Sequence, residues 1–139
     1  MPIKRLRPVL AIAGDLPLGR LLTSFRNKDR RTIPWIFSLF HALESQEDFD
    51  IHWITLSKAV SAPETIRMRN QTIHILPLGS MGRNILTAHF LTVRRIRKTL
   101  NDIQPDLLHV WGVEQAYALA GIAFRGKKLL SYQGALSAY

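Results

Sequence analysis

The chain has the length and composition of a single folded domain. Its 139 residues are 47% hydrophobic and 21% charged, which supplies one apolar core and argues against a disordered chain. It contains no cysteine, which excludes disulfides, thiolate metal sites and cysteine nucleophiles. Because 19 Lys and Arg residues outnumber 10 Asp and Glu residues, the expected partners are anionic: a phosphorylated ligand, a nucleic acid or an acidic membrane surface.

The first predicted element is a β-strand over Val9–Ala13. Basic residues precede it, as in a secretion signal, but the apolar run Pro8–Ala13 is shorter than the roughly 7 to 15 residues of a signal core. No uncharged apolar run approaches the roughly 20 residues of a membrane span. We therefore expect a cytoplasmic protein, with any membrane contact peripheral and at the inner face.

Helices and strands alternate along the rest of the chain. In chain order the spacing predicts a helix beginning near Pro34 with the apolar stripe Trp35, Ile36, Leu39, Phe40 and Leu43; strands Ile51–Leu56 and Thr72–Leu76; a helix with the stripe Leu86, Phe90, Val93, Ile96, Leu100 and Ile103; strand Leu107–Val110; a helix marked by Ala116, Leu119, Ala120 and Ala123; and strand Leu129–Tyr132. The segment 57–72 contains Pro63, and we predict a loop or short helix there between the second and third strands.

This alternation predicts an α/β fold, a Rossmann-like doubly wound parallel sheet in one domain spanning residues 1–139. The first, fourth and fifth strands are nearly continuous in apolar residues, as expected for strands buried on both faces. With the strand order 3-2-1-4-5, the first and fourth strands are neighbours where the winding reverses, and ligands bind beyond the carboxyl ends of strands at such a point. Gly14 and the stretch His109–Glu114 are therefore expected to face each other across one crevice.

Each residue at this predicted crevice also has a purely structural interpretation. Gly14 can serve turn geometry alone, and His109, inside an apolar run, resembles a hydrogen-bonded core histidine. Trp111 can simply cover the end of the sheet. Glu114, in a first helical turn, is favoured by the helix dipole by about 0.3 to 1 kcal/mol without any ligand. The position of these residues at the switch point favours the functional interpretation.

Familiar nucleotide and metal motifs are absent from the sequence. Gly14–Gly19, "GDLPLG", has the glycine spacing of a P-loop, but Arg20 and Leu21 replace the Lys and the Ser or Thr that such a loop needs. No G-x-G-x-x-G follows the first strand, which counts against a dinucleotide site. The five histidines lack the spacing that places two ligands on one helical face, so we expect no bound metal or cofactor.

The positive charge is concentrated in two clusters. One lies before residue 32 and the other in the second long helix; their members are Lys4, Arg5, Arg7, Arg20, Arg26, Lys28, Arg30 and Arg31, and then Arg94, Arg95, Arg97 and Lys98. Solvated helix and loop faces explain such clusters as well as binding patches do. No nucleic-acid recognition motif accompanies them, so a nucleic-acid partner rests on charge alone and is not expected.

Two stretches of the sequence resemble a known family. "PDLLHVWGVEQAYALAG" (105–121), followed one helix later by "KLLSYQGALSAY" (128–139), resembles the N-terminal half of the family 4 glycosyltransferases, retaining enzymes of the GT-B fold. Members often show a strand ending in His, then Trp-Gly-Thr-Glu, and a next strand running into Ser, an apolar residue, Gln and Gly. Many carry a second His, which contacts the donor sugar, where this chain has Trp111.

The resemblance implies a sugar transfer with retention of configuration, from a nucleotide diphosphate sugar to a polysaccharide, glycolipid or similar acceptor, without a bound metal. It implies that the cleft is lined by Gly14, His109, Trp111, Gly112, Glu114, Gln133 and Gly134, with Glu114 the candidate to hydrogen-bond acceptor hydroxyls. The catalytic residues are not identified by it. The basic faces suit an anionic acceptor or anionic lipid.

Family members place the nucleotide-sugar site mainly in a second Rossmann-like domain. We therefore expect this chain to be the acceptor-side domain, truncated before the donor-binding domain and inactive by itself. Its oligomeric state is left open. The alternative is a non-enzymatic Rossmann-like module with a binding or regulatory role.

Overall fold

The computed structural model of the protein describes residues 5–79, 89–111 and 116–131. The strands there are β1 (Val9–Ala13), β2 (Asp50–Ser57), β3 (Glu64–Met68), β4 (Gln71–Pro77), β5 (Leu107–Trp111) and β6 (Lys127–Ser131). They form one sheet in the order β3-β4-β2-β1-β5-β6, in which every pair is parallel except β3–β4. The five predicted strands follow the expected order 3-2-1-4-5, so the predicted Rossmann-like α/β class is confirmed.

Helices cover both faces of the sheet. Between β1 and β2 lie α1 (Leu18–Leu21), a 3₁₀ turn (Thr23–Phe25), α2 (Pro34–Ala42) and a second 3₁₀ turn (Leu43–Ser45); α3 (Phe90–Ile103) and α4 (Ala116–Ala123) follow later in the chain. α2 packs on one face through Ile36 and Phe40, and α3 and α4 pack on the other. As predicted, Pro34 begins α2, because the N–H that proline lacks has no partner in a first helical turn.

The prediction of a loop or short helix over residues 57–72 is wrong, because this segment contains β3. Glu64–Met68 pairs antiparallel with β4, and Arg69 in the connecting turn has a φ of 45°. Pro63 immediately precedes the strand, where the ladder does not need its N–H. β3 lies at the edge of the sheet and exposes Glu64 and Arg67 to solvent, so it lacks the apolar run by which the buried strands were found.

Several residues of the predicted apolar stripes are on the surface instead. Trp35 is 54% exposed, Phe90 63% and Leu119 49%. Ile96 and Leu100 are buried in α3, and Phe90 lies six residues before Ile96, which at about 100° per residue points the two side chains roughly 120° apart. The apolar stripe predicted from spacing is therefore wider than the face of α3 that packs against the sheet.

The strand predicted at Leu129–Tyr132 is observed as β6, and its described residues are not buried on both faces as expected. Leu129 is 51% exposed and Leu130 42%. β6 forms an edge of the sheet within the described part of the chain, with β5 as its partner there. An apolar composition therefore indicated a strand here but not its burial.

At the amino edge of the sheet, two histidines on β2 and β4 contact each other. His52 Nδ1 lies 2.9 Å from His74 Nε2, and the two rings are stacked with centroids 5.2 Å apart. Burial and the neighbouring His52 lower the pKa of His74 to about 4, although Asp102 acts in the opposite direction. A hydrogen bond between two imidazoles needs one nitrogen without a proton, so the contact requires at least one neutral ring.

Because the pKa of His74 is lower in the folded chain than its ordinary 6.5, the unfolded chain binds the additional proton first. The stabilising contribution is therefore complete above about pH 6.5 and is lost as the pH falls towards 4. We expect His74→Asn to remove about 1–2 kcal/mol of this pH dependence, after allowance for partial exposure. Urea unfolding at several pH values measures it. His89→Asn is the matched control, and an equal flattening of the profile by both variants would contradict this assignment.

Candidate functional site

The carboxyl ends of β1 and β5 meet as the predicted crevice requires. β1 ends at Ala13, and the N–H of Gly14 continues the ladder by donating to the carbonyl of Ile54 (3.0 Å). A Cβ added at Gly14 would lie 3.0 Å from the Cβ of Trp111 and 3.7 Å from Cδ1 of Ile36. The close approach of Trp111 therefore requires glycine at position 14 on packing grounds, and a role of Gly14 towards a ligand stays a prediction.

His109 and Trp111 lie beside each other on the face of the sheet that carries α2. Their ring centroids are 4.9 Å apart, and His109 Nε2 is 2.7 Å from the hydroxyl of Ser131 at the end of β6. Burial lowers the pKa of His109, which favours the neutral imidazole. Trp111 Nε1 is buried and has no hydrogen-bond partner in the part of the chain that the structure describes. The end of β5 thus holds a histidine whose neutral form is favoured, beside a tryptophan whose indole N–H is buried.

Tyr117 of α4 fills the gap that β1 leaves beside the longer strand β2. Its hydroxyl accepts a hydrogen bond from the N–H of Leu56 (2.7 Å) and donates one to Oδ1 of Asp15 (2.7 Å). Without the tyrosine, the N–H of Leu56 would be a buried donor with no strand beside it. Burial, together with the charge of Asp15, raises the pKa of Tyr117 well above its ordinary value, so the hydroxyl keeps its proton at physiological pH.

Arg31 connects this tyrosine to the loop between β1 and α2. Its Nη1 donates to Oδ1 of Asp15 (2.9 Å), and its Nε and Nη2 donate to the carboxylate of Asp29 (3.0 and 2.6 Å). Asp29 is buried and also accepts a hydrogen bond from the hydroxyl of Ser57 at the end of β2 (3.2 Å). The loop is therefore attached to β2 and α4 by charge-assisted hydrogen bonds, which are roughly twice as strong as neutral ones.

The charges of this network stabilise one another. Burial alone would raise the pKa of Asp29, but its hydrogen bonds to Arg31 and Ser57 and the positive charge of Arg31 hold that pKa below its ordinary value. Burial acts against the charged form of Arg31 as well, and Asp29 and Asp15 outweigh it, so the pKa of Arg31 is raised. Both ionised forms therefore persist at physiological pH, and the side chain of Asp15 remains 30% exposed beside the crevice.

The structure brings together only some of the predicted site residues. Gly14, His109 and Trp111 lie at the adjoining ends of β1 and β5, while Gly112, Glu114, Gln133 and Gly134 lie outside the described residues. Sequence reasoning missed Asp15, Asp29, Arg31 and Tyr117. Arg31 was grouped with a basic cluster, and the positions of its partners Asp15 and Asp29 follow no local periodicity. An acid directly after Gly14 and a tyrosine in an otherwise apolar helix were the available signals.

The amino edge of the sheet carries a depression of about 1150 Å³. Four arginines line it, but four carboxylates do too: Arg5, Arg7, Arg67 and Arg69, with Glu44, Glu47, Asp50 and Asp102. This balance gives no preference for an anion. Within residues 5–79, 89–111 and 116–131, no group of three or more His, Asp or Glu side chains is arranged to hold a metal ion. No helix of that part is long and apolar enough to cross a membrane.

The hydrogen bond between Tyr117 of α4 and the N–H of Leu56 predicts how much Tyr117 stabilises the fold. We expect Tyr117→Phe to destabilise the fold by about 1–3 kcal/mol, because it leaves the buried N–H of Leu56 without a partner. The double variant with Asp15→Ala should cost less than the sum of the single variants, by about 1 kcal/mol, since the two share a hydrogen bond. Urea unfolding of all four proteins measures this coupling. Asp48→Ala, an exposed acid, is the matched control partner, and additivity in the Asp15 cycle would contradict the assignment.

Comparison with known sequences assigns the chain to a family. The family described as "Glycosyl transferase 4-like" matches residues 31–134, which are 104 of the 139 residues. The match covers β2 to β6, including His109 and Trp111, and it contains the first stretch on which the resemblance rests (105–121) and the second as far as residue 134. No curated protein and no solved structure shows significant similarity to the chain. With its Rossmann-like sheet and this match over most of its length, the chain belongs to the glycosyl transferase 4-like family.

Proposed function

We propose that the chain is the acceptor-side domain of a retaining GT-B glycosyltransferase. The enzyme transfers a sugar from a nucleotide diphosphate sugar to a polysaccharide or glycolipid acceptor, and it uses no bound metal. One observation carries the proposal beyond family membership: the contact between Gly14 and Trp111 puts the ends of β1 and β5 side by side at the switch point. An open parallel sheet binds its ligands at this position.

The groups at this edge suit the recognition of sugar hydroxyls. His109 is hydrogen-bonded to Ser131, burial lowers its pKa and so favours its neutral form, and Trp111 contributes an apolar ring. The carboxylate of Asp15 is partly exposed and accepts hydrogen bonds, and we propose that it receives an acceptor hydroxyl. The carboxylate of Glu114 has the same role in the proposal, with Gly112, Gln133 and Gly134 forming the rim.

The proposal assigns the donor to a second domain. Residues at the carboxyl edge of this sheet form one wall of the cleft, and the nucleotide-sugar site forms the other. We therefore propose that the present residues bind acceptor and do not transfer sugar by themselves. Enzymatic transfer needs both substrates held in one geometry, since orientation supplies a large part of the rate enhancement.

A second candidate is a binding or regulatory module without transferase activity. Trp111 supports it, because this tryptophan stands where many family members have the histidine that contacts the donor sugar. In the described structure its ring packs against His109 and its Cβ faces Gly14. Such a module would bind a glycan at the same edge and transfer nothing.

Transfer is tested on the product of the complete reading frame that contains these residues. We expect incorporation from at least one nucleotide sugar in a panel of UDP, GDP and ADP sugars into a glycolipid or polysaccharide extract. The anomeric configuration of the product, determined by NMR, should match that of the donor. Inversion would exclude the retaining mechanism. Glycan binding by the folded protein without transfer from any donor would support the binding module instead.

The role of Glu114 is tested by Glu114→Gln, which keeps the shape of the side chain and removes its charge. We expect acceptor affinity to fall by at least tenfold, because hydrogen bonds to a charged group contribute about 1.5–3 kcal/mol. Titration calorimetry with the acceptor found in the transfer assay measures this affinity. Glu47→Gln, which changes an exposed acid in the loop before β2, is the matched control. Unchanged affinity in a folded Glu114→Gln protein contradicts the assignment.

A further inference from the structure

The outward surface of α3 combines exposed apolar and basic side chains. Phe90 is 63% exposed and Leu91 38%, at the beginning of the helix. Arg94 and Arg97, one and two turns later, are exposed on the same side, because α3 turns Thr92, Ile96, Leu100 and Ile103 towards the core. Exposed apolar side chains can enter a membrane interface, and cations beside them are attracted to anionic lipid.

The basic side chains of α3 differ in whether they have a partner within the protein. Lys98 forms an ion pair with Asp102 (3.1 Å), and Arg95 is turned inward to donate to the carbonyl of Pro77 (3.2 Å). Neither Arg94 nor Arg97 pairs with a carboxylate in the part of the chain that the structure describes. These two guanidinium groups are therefore available to an external anion.

The neighbouring helix α4 extends the same surface. Leu119 is 49% exposed and Ile122 66%, so two further apolar side chains face outward beside α3. Arg97 and Arg125 line a groove of about 320 Å³ between α3 and the turn after α4. We call the surface formed by Phe90, Leu91, Arg94, Arg97, Leu119 and Ile122 the α3–α4 surface.

Few acids oppose these cations. Residues 89–111 and 116–131 contain seven Lys and Arg residues but only two acids, Asp102 and Asp106. Asp102 is paired with Lys98, and Asp106 accepts a hydrogen bond from the N–H of Val9 at the amino edge (2.7 Å). The α3–α4 surface is thus basic and apolar at once, whereas the depression at the amino edge is balanced in charge.

We propose that the α3–α4 surface binds the surface of an anionic lipid bilayer. The apolar side chains would enter the interface while Arg94 and Arg97 contact lipid phosphates. A nucleic acid is a poorer fit, because phosphate contacts do not require four exposed apolar side chains, and three of those four, Leu91, Leu119 and Ile122, cannot stack on a base. The proposal does not depend on glycosyl transfer, since it uses a helical layer and not the crevice at the carboxyl edge.

Co-sedimentation with vesicles tests the proposal on the 139-residue chain. We expect binding to phosphatidylcholine vesicles that contain phosphatidylglycerol, and little binding to pure phosphatidylcholine. Each basic side chain near the surface changes partition by about fivefold, so Arg94→Gln with Arg97→Gln should weaken binding by roughly 25-fold. Phe90→Ala with Leu91→Ala should weaken it as well, including at high salt, where charge attraction is screened.

The matched control is Arg26→Gln with Lys28→Gln, which removes two exposed charges from the opposite helical layer. This control should keep most of the binding. Equal losses in both charge variants would overturn the proposal, because net charge and not this surface would then be responsible. Two other results would overturn it: no binding to anionic vesicles by the folded chain, or tighter binding to duplex DNA than to vesicles with the same dependence on Arg94 and Arg97.

Discussion

The carboxyl edge of this sheet depends on one hydroxyl group, that of Tyr117. β1 is shorter than β2, so the N–H of Leu56 extends past its neighbour into the interior and has to find a partner there. The tyrosine hydroxyl reaches it from α4 and donates its own hydrogen bond to Asp15. An unpaired buried N–H costs about 1–3 kcal/mol, a large part of the stability of a small domain. This single contact therefore joins a strand, a loop and a helix.

The consequence is that the elements at the carboxyl edge are fixed relative to one another. Trp111 is held against Gly14, and α4 is held against β2 and the loop after β1 by Tyr117. Residues 112–115, which include Glu114, run between these two anchored points in the sequence. Arg31 and Asp29 attach the other side of the loop to Ser57. A binding site on such anchored elements is more precisely arranged than one on free loops.

Two surfaces of the molecule are chemically distinct. The carboxyl edge carries hydrogen-bonding groups whose pKa values are shifted by burial and, for Asp29 and Arg31, by neighbouring charges, which suits a neutral polar ligand such as a glycan. The α3–α4 surface carries two guanidinium groups that have no carboxylate partner among the described residues, and exposed apolar side chains lie beside them, which suits a bilayer. Because α3 and α4 pack on one face of the sheet and Trp111 lies on the other, a membrane on the helical layer does not cover the indole.

The sequence by itself determined the α/β class, the positions of the buried strands, the start of α2 at Pro34 and the meeting of Gly14 with the end of β5. These features follow from local apolar periodicity and from the handedness of parallel crossovers, which act within a few tens of residues. The strand β3 was not predicted, because an edge strand that exposes Glu64 and Arg67 has no apolar run. The family resemblance likewise rests on short contiguous stretches around His109.

Only the tertiary structure decided which polar residues meet. Asp15 and Tyr117 are 102 positions apart in the sequence and share a hydrogen bond in the fold. In the sequence Arg31 is one member of a basic cluster, whereas in the structure it pairs with Asp15 and Asp29. It also decided that Phe90 and Leu119 face solvent, although both have helical spacing. The physical reason is the same in each case. Burial and pairing depend on which elements pack together over long sequence separations, and a local sequence pattern does not specify those partners.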